Sequence, residues 1–272
     1  MTYQDQLLAH LTTYKQNVLG IQELGVFKYR GRDVLRDHIL PVAHADLNLL
    51  PHARGLAPAY LSANPGVVRH RYFHHLNSSQ AFAFNLFLPF FSGTPGDSAR
   101  LLRALGQNAQ LATWQLEAVP HPVEGTNLDA LWVTDDGITT ICEVKLSEAE
   151  FGKAKDDRRH RAKLAQIYQP VLSGRVHSAL LAIPAFLDAY QILRNIWHLA
   201  RLEHGRLVFL LPRANVRPWE AVTRVVAQVD PGLRSRIAVV AIEDALAALA
   251  ASNLSTSRLS EHANDLIAKY LP

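Results

Sequence analysis

A mixed α/β sheet with helices on both faces is the fold class predicted for this chain of 272 residues. Three observations predict it. The first third reads as helices broken by glycine and proline. Between residues 111 and 146 the apolar period shortens to that of strands, with a tight turn at Asp135-Asp136-Gly137. Beyond residue 157, helices alternate with short apolar strands, which argues for helices on both faces of a mixed sheet.

The elements follow in order. Residues 1–24 predict an amphipathic helix, with Leu7, Leu8, Leu11 and Tyr14 on one stripe. Residues 26–68 are punctuated by Gly31, Pro41, Pro51, Gly55, Pro58, Pro65 and Gly66, which predicts short pieces. A serine-capped helix from Ser78 to Leu88 is apolar almost all round and is expected to be buried, with Pro89 ending or bending it. A further helix covers 97–105.

Leu111–Val119, Asn127–Thr134 and Ile138–Leu146 predict three strands, the last two joined as a hairpin. A basic helix over 157–170 stops at Pro170. A helix over 187–202, a strand over 207–211, a helix over 219–229, a strand over 237–242 and two closing helices complete the chain. The expected organisation is a helical N-terminal region, 1–106, packed on a core of residues 107–272, the whole forming one continuous domain.

Composition is that of a globular protein: 49% hydrophobic and 19% charged, with a net charge of +4. One cysteine excludes an internal disulfide and a cysteine-rich zinc site. The polar N-terminus is no signal peptide, and no apolar run is long enough to span a bilayer, so no membrane partner and a cytoplasmic location are expected. The mild basicity suits a polyanionic partner without demanding one.

The chemistry concentrates in residues 126–145. Asp129 sits on one strand of the hairpin, and Glu143-Val144-Lys145 ends the other. Alternation puts Glu143 and Lys145 on one face, with Cys142 and Val144 on the other. Asp129, on the adjacent strand, can face Glu143. Two neighbouring carboxylates repel each other and cost desolvation, and a divalent cation offsets both penalties. Oxygen donors without histidine or cysteine favour Mg²⁺ or Mn²⁺ over zinc. Lys145 compensates charge where an attacking water could be oriented.

Asp129 followed fourteen positions later by Glu143-Val144-Lys145, on a hairpin and ahead of a basic helix, resembles the core motif of the PD-(D/E)XK nuclease superfamily. The residue before Asp129 departs from that motif: it is Leu128 rather than proline. The resemblance implies a restriction-endonuclease-like core of order α-β-β-β-α-β with a helical N-terminal extension. It implies that Asp129 and Glu143 bind metal, that the Val144 carbonyl adds a ligand, and that Lys145 orients or activates water. It also implies a Gln or Lys on the following helix, here Gln166, or else a structural helix-interior glutamine, and an early-helix acidic or amide residue brought to the metal site, here Gln80, or else a residue that caps a buried backbone group.

Other residues support the same chemistry. Glu117 on the first strand is a candidate auxiliary ligand, as are Glu148 and Glu150. Lys153, Lys155, Arg158, Arg159 and Arg161 follow the motif and could neutralise phosphates, or form a solvated helix face. Arg69 and Arg71 lie among aromatics and histidines, including His74 and His75, in a patch suited to phosphate contact and base stacking, or to a plain surface loop.

The leading expectation is a metal-dependent nuclease, most readily a DNA endonuclease in prokaryotic defence, restriction or DNA processing. A homodimer, or a partner protein supplying specificity, fits that reading. The competing expectation is a non-catalytic nucleic-acid-binding module on the same fold.

Overall fold

A computed structural model of the chain describes residues 1–122 and 124–272. The first elements are α1 (Tyr3–Asn17), β1 (Gly25–Tyr29), β2 (Arg32–Arg36), α2 (Pro51–Ala63), α3 (Ser79–Phe91) and α4 (Pro95–Ala104). A meander follows: β3 (Leu111–Ala118), β4 (Leu128–Thr134) and β5 (Thr139–Val144). Then come α5 (Arg158–Lys163), α6 (Gln169–Leu172), α7 (Ile183–Asp188), α8 (Tyr190–Ala200) and β6 (Gly205–Leu211). The chain closes with α9 (Val216–Val226), α10 (Pro231–Arg234), β7 (Ile237–Ala241), α11 (Ile242–Ala250) and α12 (Ser257–Tyr270).

Two compact units result: Met1–Gln110 with Glu243–Pro272, and Leu111–Ile242. A boundary was expected near residue 106, but the closing helices were expected with the core. They belong instead with the N-terminal unit.

In that unit, residues 26–68 hold more order than their glycines and prolines suggest. β1 and β2 form an antiparallel hairpin, and α2 runs through Pro58. Helix α1 ends at Asn17, short of the expected residue 24. Helix α3 is buried as expected but continues past Pro89 to Phe91. Proline lacks the N–H that would bond to the carbonyl four residues back. That carbonyl, on Asn85, is taken by His262 Nε2 of α12 at 2.7 Å. Burial keeps His262 neutral, its pKa lowered to about 4. The Asn85 side chain ties the same region together: its amide donates to the Asn48 carbonyl and the Tyr270 hydroxyl, and its oxygen accepts from the Leu50 N–H.

In the second unit a five-stranded sheet runs β3-β4-β5-β6-β7. The first three strands are antiparallel, and β6 and β7 join parallel to β5. This is the mixed α/β sheet expected. The β4–β5 turn is closed by bonds between Thr134 and Ile138 and from the Gly137 N–H to the Thr134 carbonyl, with Gly137 at φ +79°. A left-handed residue there is what a three-residue hairpin needs, and glycine adopts it without steric cost. β5 is the middle strand and is buried on both faces. β4 alternates: Leu128, Ala130, Trp132 and Thr134 are buried, while Asp129, Leu131 and Val133 are half-buried.

The basic helix does not stop at Pro170. A π-helical turn, Leu164–Tyr168, joins α5 to α6, and Pro170 sits in the first turn of α6, where its missing N–H costs least. The expected 187–202 helix is two helices, α7 and α8, meeting at Ala189. No helix among the described residues is long and apolar enough to cross a membrane.

The Pro89 arrangement gives a test in urea unfolding. His262→Ala should cost roughly 1–3 kcal/mol, because it strands a buried carbonyl. In a Pro89→Ala background the new N–H can reach Asn85, so the same change should cost about 1 kcal/mol less. Equal costs in both backgrounds would refute the compensation.

Candidate active site

Glu143 lies on the central strand with only 2% of its surface exposed. A carboxylate so placed must be satisfied by hydrogen bonds and opposite charge. Helix α8 supplies most of them. Gln191 Nε2 donates to Glu143 Oε1 at 2.5 Å and Asn195 Nδ2 to Oε2 at 3.0 Å. The Arg194 guanidinium stands 3.6 Å from Oε2, and the Lys145 ammonium 3.0 Å from Oε1. Gln191, Arg194 and Asn195 are spaced i, i+3, i+4 and so share one helical face.

Gly152 lets Gln191 hold this position. Gly152 has φ +80°, and a Cβ there would come within 2.5 Å of the Gln191 side-chain oxygen. The Gln191 N–H also bonds to the Gly152 carbonyl.

Asp129 enters from β4. The β4–β5 register ends at Ala130 opposite Cys142, and extending it one step sets Asp129 across from Glu143. At that step the ladder gives way, and the Val144 N–H donates to Asp129 Oδ2 at 2.7 Å. Burial, then the charge of Glu143, holds the Asp129 carboxyl well above the ordinary carboxylate range, against the opposing pull of Lys145. Lys145 is itself buried. Burial alone would push its ammonium down, but Glu143, Glu148 and Asp129 together hold it above the usual lysine value.

Glu117 belongs to the same neighbourhood. Leu116 pairs with Ala130 and Ala118 with Leu128, so Glu117 falls opposite Asp129 on the far strand. Its backbone is left-handed, φ +55°, an unusual state for a residue with a side chain. Its carboxylate accepts from Asn127 Nδ2 at 3.0 Å and adds to the raising of the Asp129 pKa. Three acids thus line up across β3, β4 and β5. Among the described residues, however, no group of three or more His, Cys, Asp or Glu side chains is arranged to hold one ion.

The remaining expected residues are placed as follows. Gln166 is exposed on the π-helical turn, and the amides that reach Glu143 come from Gln191 and Asn195 instead. Gln80, in the N-terminal unit, bonds to the main chain of Val68 and His70. Glu148 accepts the Leu146 and Ser147 N–H groups, and Glu150 pairs with Lys153. Lys153 also pairs with Asp188, and Arg161 with Asp156. Lys155, Arg158 and Arg159 are exposed. Arg69 pairs with Asp46 and Arg71 is exposed, while His74 and His75 are buried.

A second polar cluster was not anticipated. Glu124, buried before β4, accepts from Lys163 and from the Tyr168 and Tyr190 hydroxyls. Burial pushes its carboxyl up, but hydrogen bonds from Thr126, Lys163 and Tyr168 outweigh that and hold it below its ordinary value. The cluster fastens Glu124 to the helices after the motif.

A cleft of about 520 Å³ in the same unit is lined in part by Phe151, Lys153, Ile192, Arg217 and Arg224, and by none of the residues that surround Glu143. Of its lining, Phe151 approaches the centre, with the Lys145 ammonium 5.6 Å from its ring.

The fold and the centre define a mixed α/β protein whose middle strand presents a buried acid and a lysine beside a second acid. The chain belongs to the family of restriction endonucleases associating with ARP, whose model matches residues 8–271. Membership points to a nuclease-like role. No curated protein and no solved structure matches the chain.

The raised Asp129 pKa has a sign that can be checked. The folded protein holds this proton more tightly than the unfolded chain, whose carboxyl titrates near ~3.9. The stability it contributes is present below that value and lost as pH rises through the raised folded value. Metal-free Asp129→Asn should therefore gain melting temperature relative to wild type as pH rises from about 4 to about 8. Parallel melting curves across that range would exclude the effect. A second test uses Gly152→Ala, which should dislodge Gln191 and lower stability by roughly 1–3 kcal/mol. An unchanged urea midpoint would mean that Gln191 has room to yield.

Proposed function

We propose that this protein is a divalent-cation-dependent nuclease that hydrolyses phosphodiester bonds in DNA. The observation that carries the reading is the nearness of Asp129 to Glu143, one step past the end of the β4–β5 register, with Lys145 bonded to Glu143. Family membership supports the reaction class.

The residues fit a hard cation. Asp129 and Glu143 offer carboxylate oxygens, and the β4–β5 ladder ends where the Val144 carbonyl would be needed as a third donor. The raised Asp129 pKa marks a place short of positive charge, which a cation would supply. Magnesium is suited to such a sparse set, since it retains waters and accepts substrate phosphate oxygens. Bound there, it would polarise the phosphate and acidify a water.

The chain's own groups do the rest. Lys145, kept protonated, donates to an incoming water or to a phosphate oxygen and stabilises negative charge as it develops. Gln191 and Asn195 fix Glu143 so that its oxygens do not rotate away. The exposed Lys155, Arg158 and Arg159, and Arg217 and Arg224 in the cleft, would neutralise the nucleic-acid backbone. The family name supports an ARP partner as the source of specificity or regulation. A role in prokaryotic defence or DNA processing, and action as a homodimer, belong to the same proposal.

One observation favours a non-catalytic nucleic-acid-binding module instead. Glu143 already has three close donors, Gln191, Asn195 and Lys145, with the Arg194 guanidinium at 3.6 Å, which leaves little of a carboxylate's capacity free. A cation must push Arg194 aside or displace one of the three.

The test is incubation with DNA and RNA in Mg²⁺, Mn²⁺ and EDTA. Wild type should cleave DNA only with metal, and Asp129→Ala, Glu143→Ala and Lys145→Ala should each lose at least ~10²-fold in rate. Binding without metal-dependent turnover would establish the alternative. Equal cleavage by all four proteins would place the activity elsewhere.

A further inference from the structure

Glu143 faces more positive charge than it can use. Lys145 and Arg194 both direct their cations at this one buried acid. Lys145 does so at 3.0 Å, a good hydrogen-bonding distance, but Arg194 only at 3.6 Å, beyond one. The Arg194 Nε is buried without a hydrogen-bond partner, as is the side-chain oxygen of the neighbouring Asn195. A guanidinium carries five donors in a rigid fork, and leaving them unpaired in the interior is costly. Arg194 is not sealed in, for its side chain keeps 11% of its surface exposed. The Arg194 fork is thus an underused, partly accessible donor set beside the proposed reaction centre.

Its charge environment points to an anion. Glu143 is the one acid with which Arg194 forms an ion pair among the described residues. His198, one turn along α8, is buried and neutral, its pKa lowered to about 4. If Glu143 is committed to a cation, Lys145 and Arg194 lose their shared partner and two positive charges stand exposed to each other. A phosphodiester restores the balance, and its paired oxygens match the guanidinium fork.

We propose that Arg194 is a phosphate-binding residue of this centre, exchanging its loose contact with Glu143 for the non-bridging oxygens of the phosphodiester held beside Lys145. The proposal rests on the nuclease reading. It adds a residue from α8 to a set otherwise drawn from the hairpin. The exchange breaks one ion pair and makes another, with no covalent step.

The experiment measures fluorescence anisotropy of a labelled DNA duplex in Ca²⁺, a hard cation that takes the same oxygen donors, over a range of KCl concentrations, alongside cleavage in Mg²⁺ and melting temperature. Arg194→Gln should weaken binding in Ca²⁺ roughly tenfold and reduce the slope of log affinity against log salt by about one. Its cleavage should fall by ~10²–10³. Arg194→Lys should keep the salt slope yet cleave roughly tenfold more slowly, because a point charge cannot reproduce the fork. If Arg194→Gln does not fold, the lysine variant decides: a wild-type cleavage rate at a wild-type melting temperature overturns the proposal. An Arg194→Gln protein that folds, with unchanged salt slope and cleavage, overturns it equally. Wild type that neither binds nor cleaves would remove the nuclease reading and this inference together. Wild type that cleaves, with both variants matching it, would remove only the role of Arg194.

Discussion

A carboxylate buried on the middle strand of a sheet is the constraint on which this centre depends. Glu143 cannot stand there alone, because an unpaired charge in the interior costs far more than one hydrogen bond returns. The answer is distributed along the chain. Lys145 comes from two residues on, Gln191, Arg194 and Asn195 from a helix about fifty residues later, and Gly152 from the loop that lets that helix approach. Satisfying one acid thus ties β5, the following loop and α8 into one unit.

Asp129 is the opposite case. It receives one main-chain N–H and is left with a proton affinity set by burial and by its acidic neighbour. Together the two acids form an asymmetric pair, one saturated and one wanting. Glu117, with a left-handed backbone on the strand beside Asp129, adds a second negative charge near that acid. Strain of this kind persists only where the surrounding structure enforces it, and it concentrates at working sites.

What the sequence made legible follows from the range of the interactions. The β3–β5 meander and its turn are local, since the period of two and Asp135-Asp136-Gly137 announce them, and with them the placement of Asp129, Glu143 and Lys145. The α8 contribution was hidden because Gln191, Arg194 and Asn195 are far from Glu143 in sequence. Their i, i+3, i+4 spacing on an apolar helix was the available signal. Gln166 had equal helical credentials but falls on an exposed π-helical turn. Pro89 was expected to end or bend α3, and the partner that rescues its orphan carbonyl and lets the helix continue, His262, lies 177 residues from Asn85. The β1–β2 hairpin was lost among glycines and prolines that read as punctuation.

The discontinuity of the first unit bears on how the protein is made. Helix α12, which supplies His262 and Tyr270 to the Asn85 region, is translated after the whole of Leu111–Ile242. During vectorial synthesis the acid-bearing unit has all its strands available while the first unit still lacks its closing helix. The earliest-translated part of the chain is therefore the last to be completed. Buried α3 must wait for its partner, so until then part of its apolar surface stays uncovered.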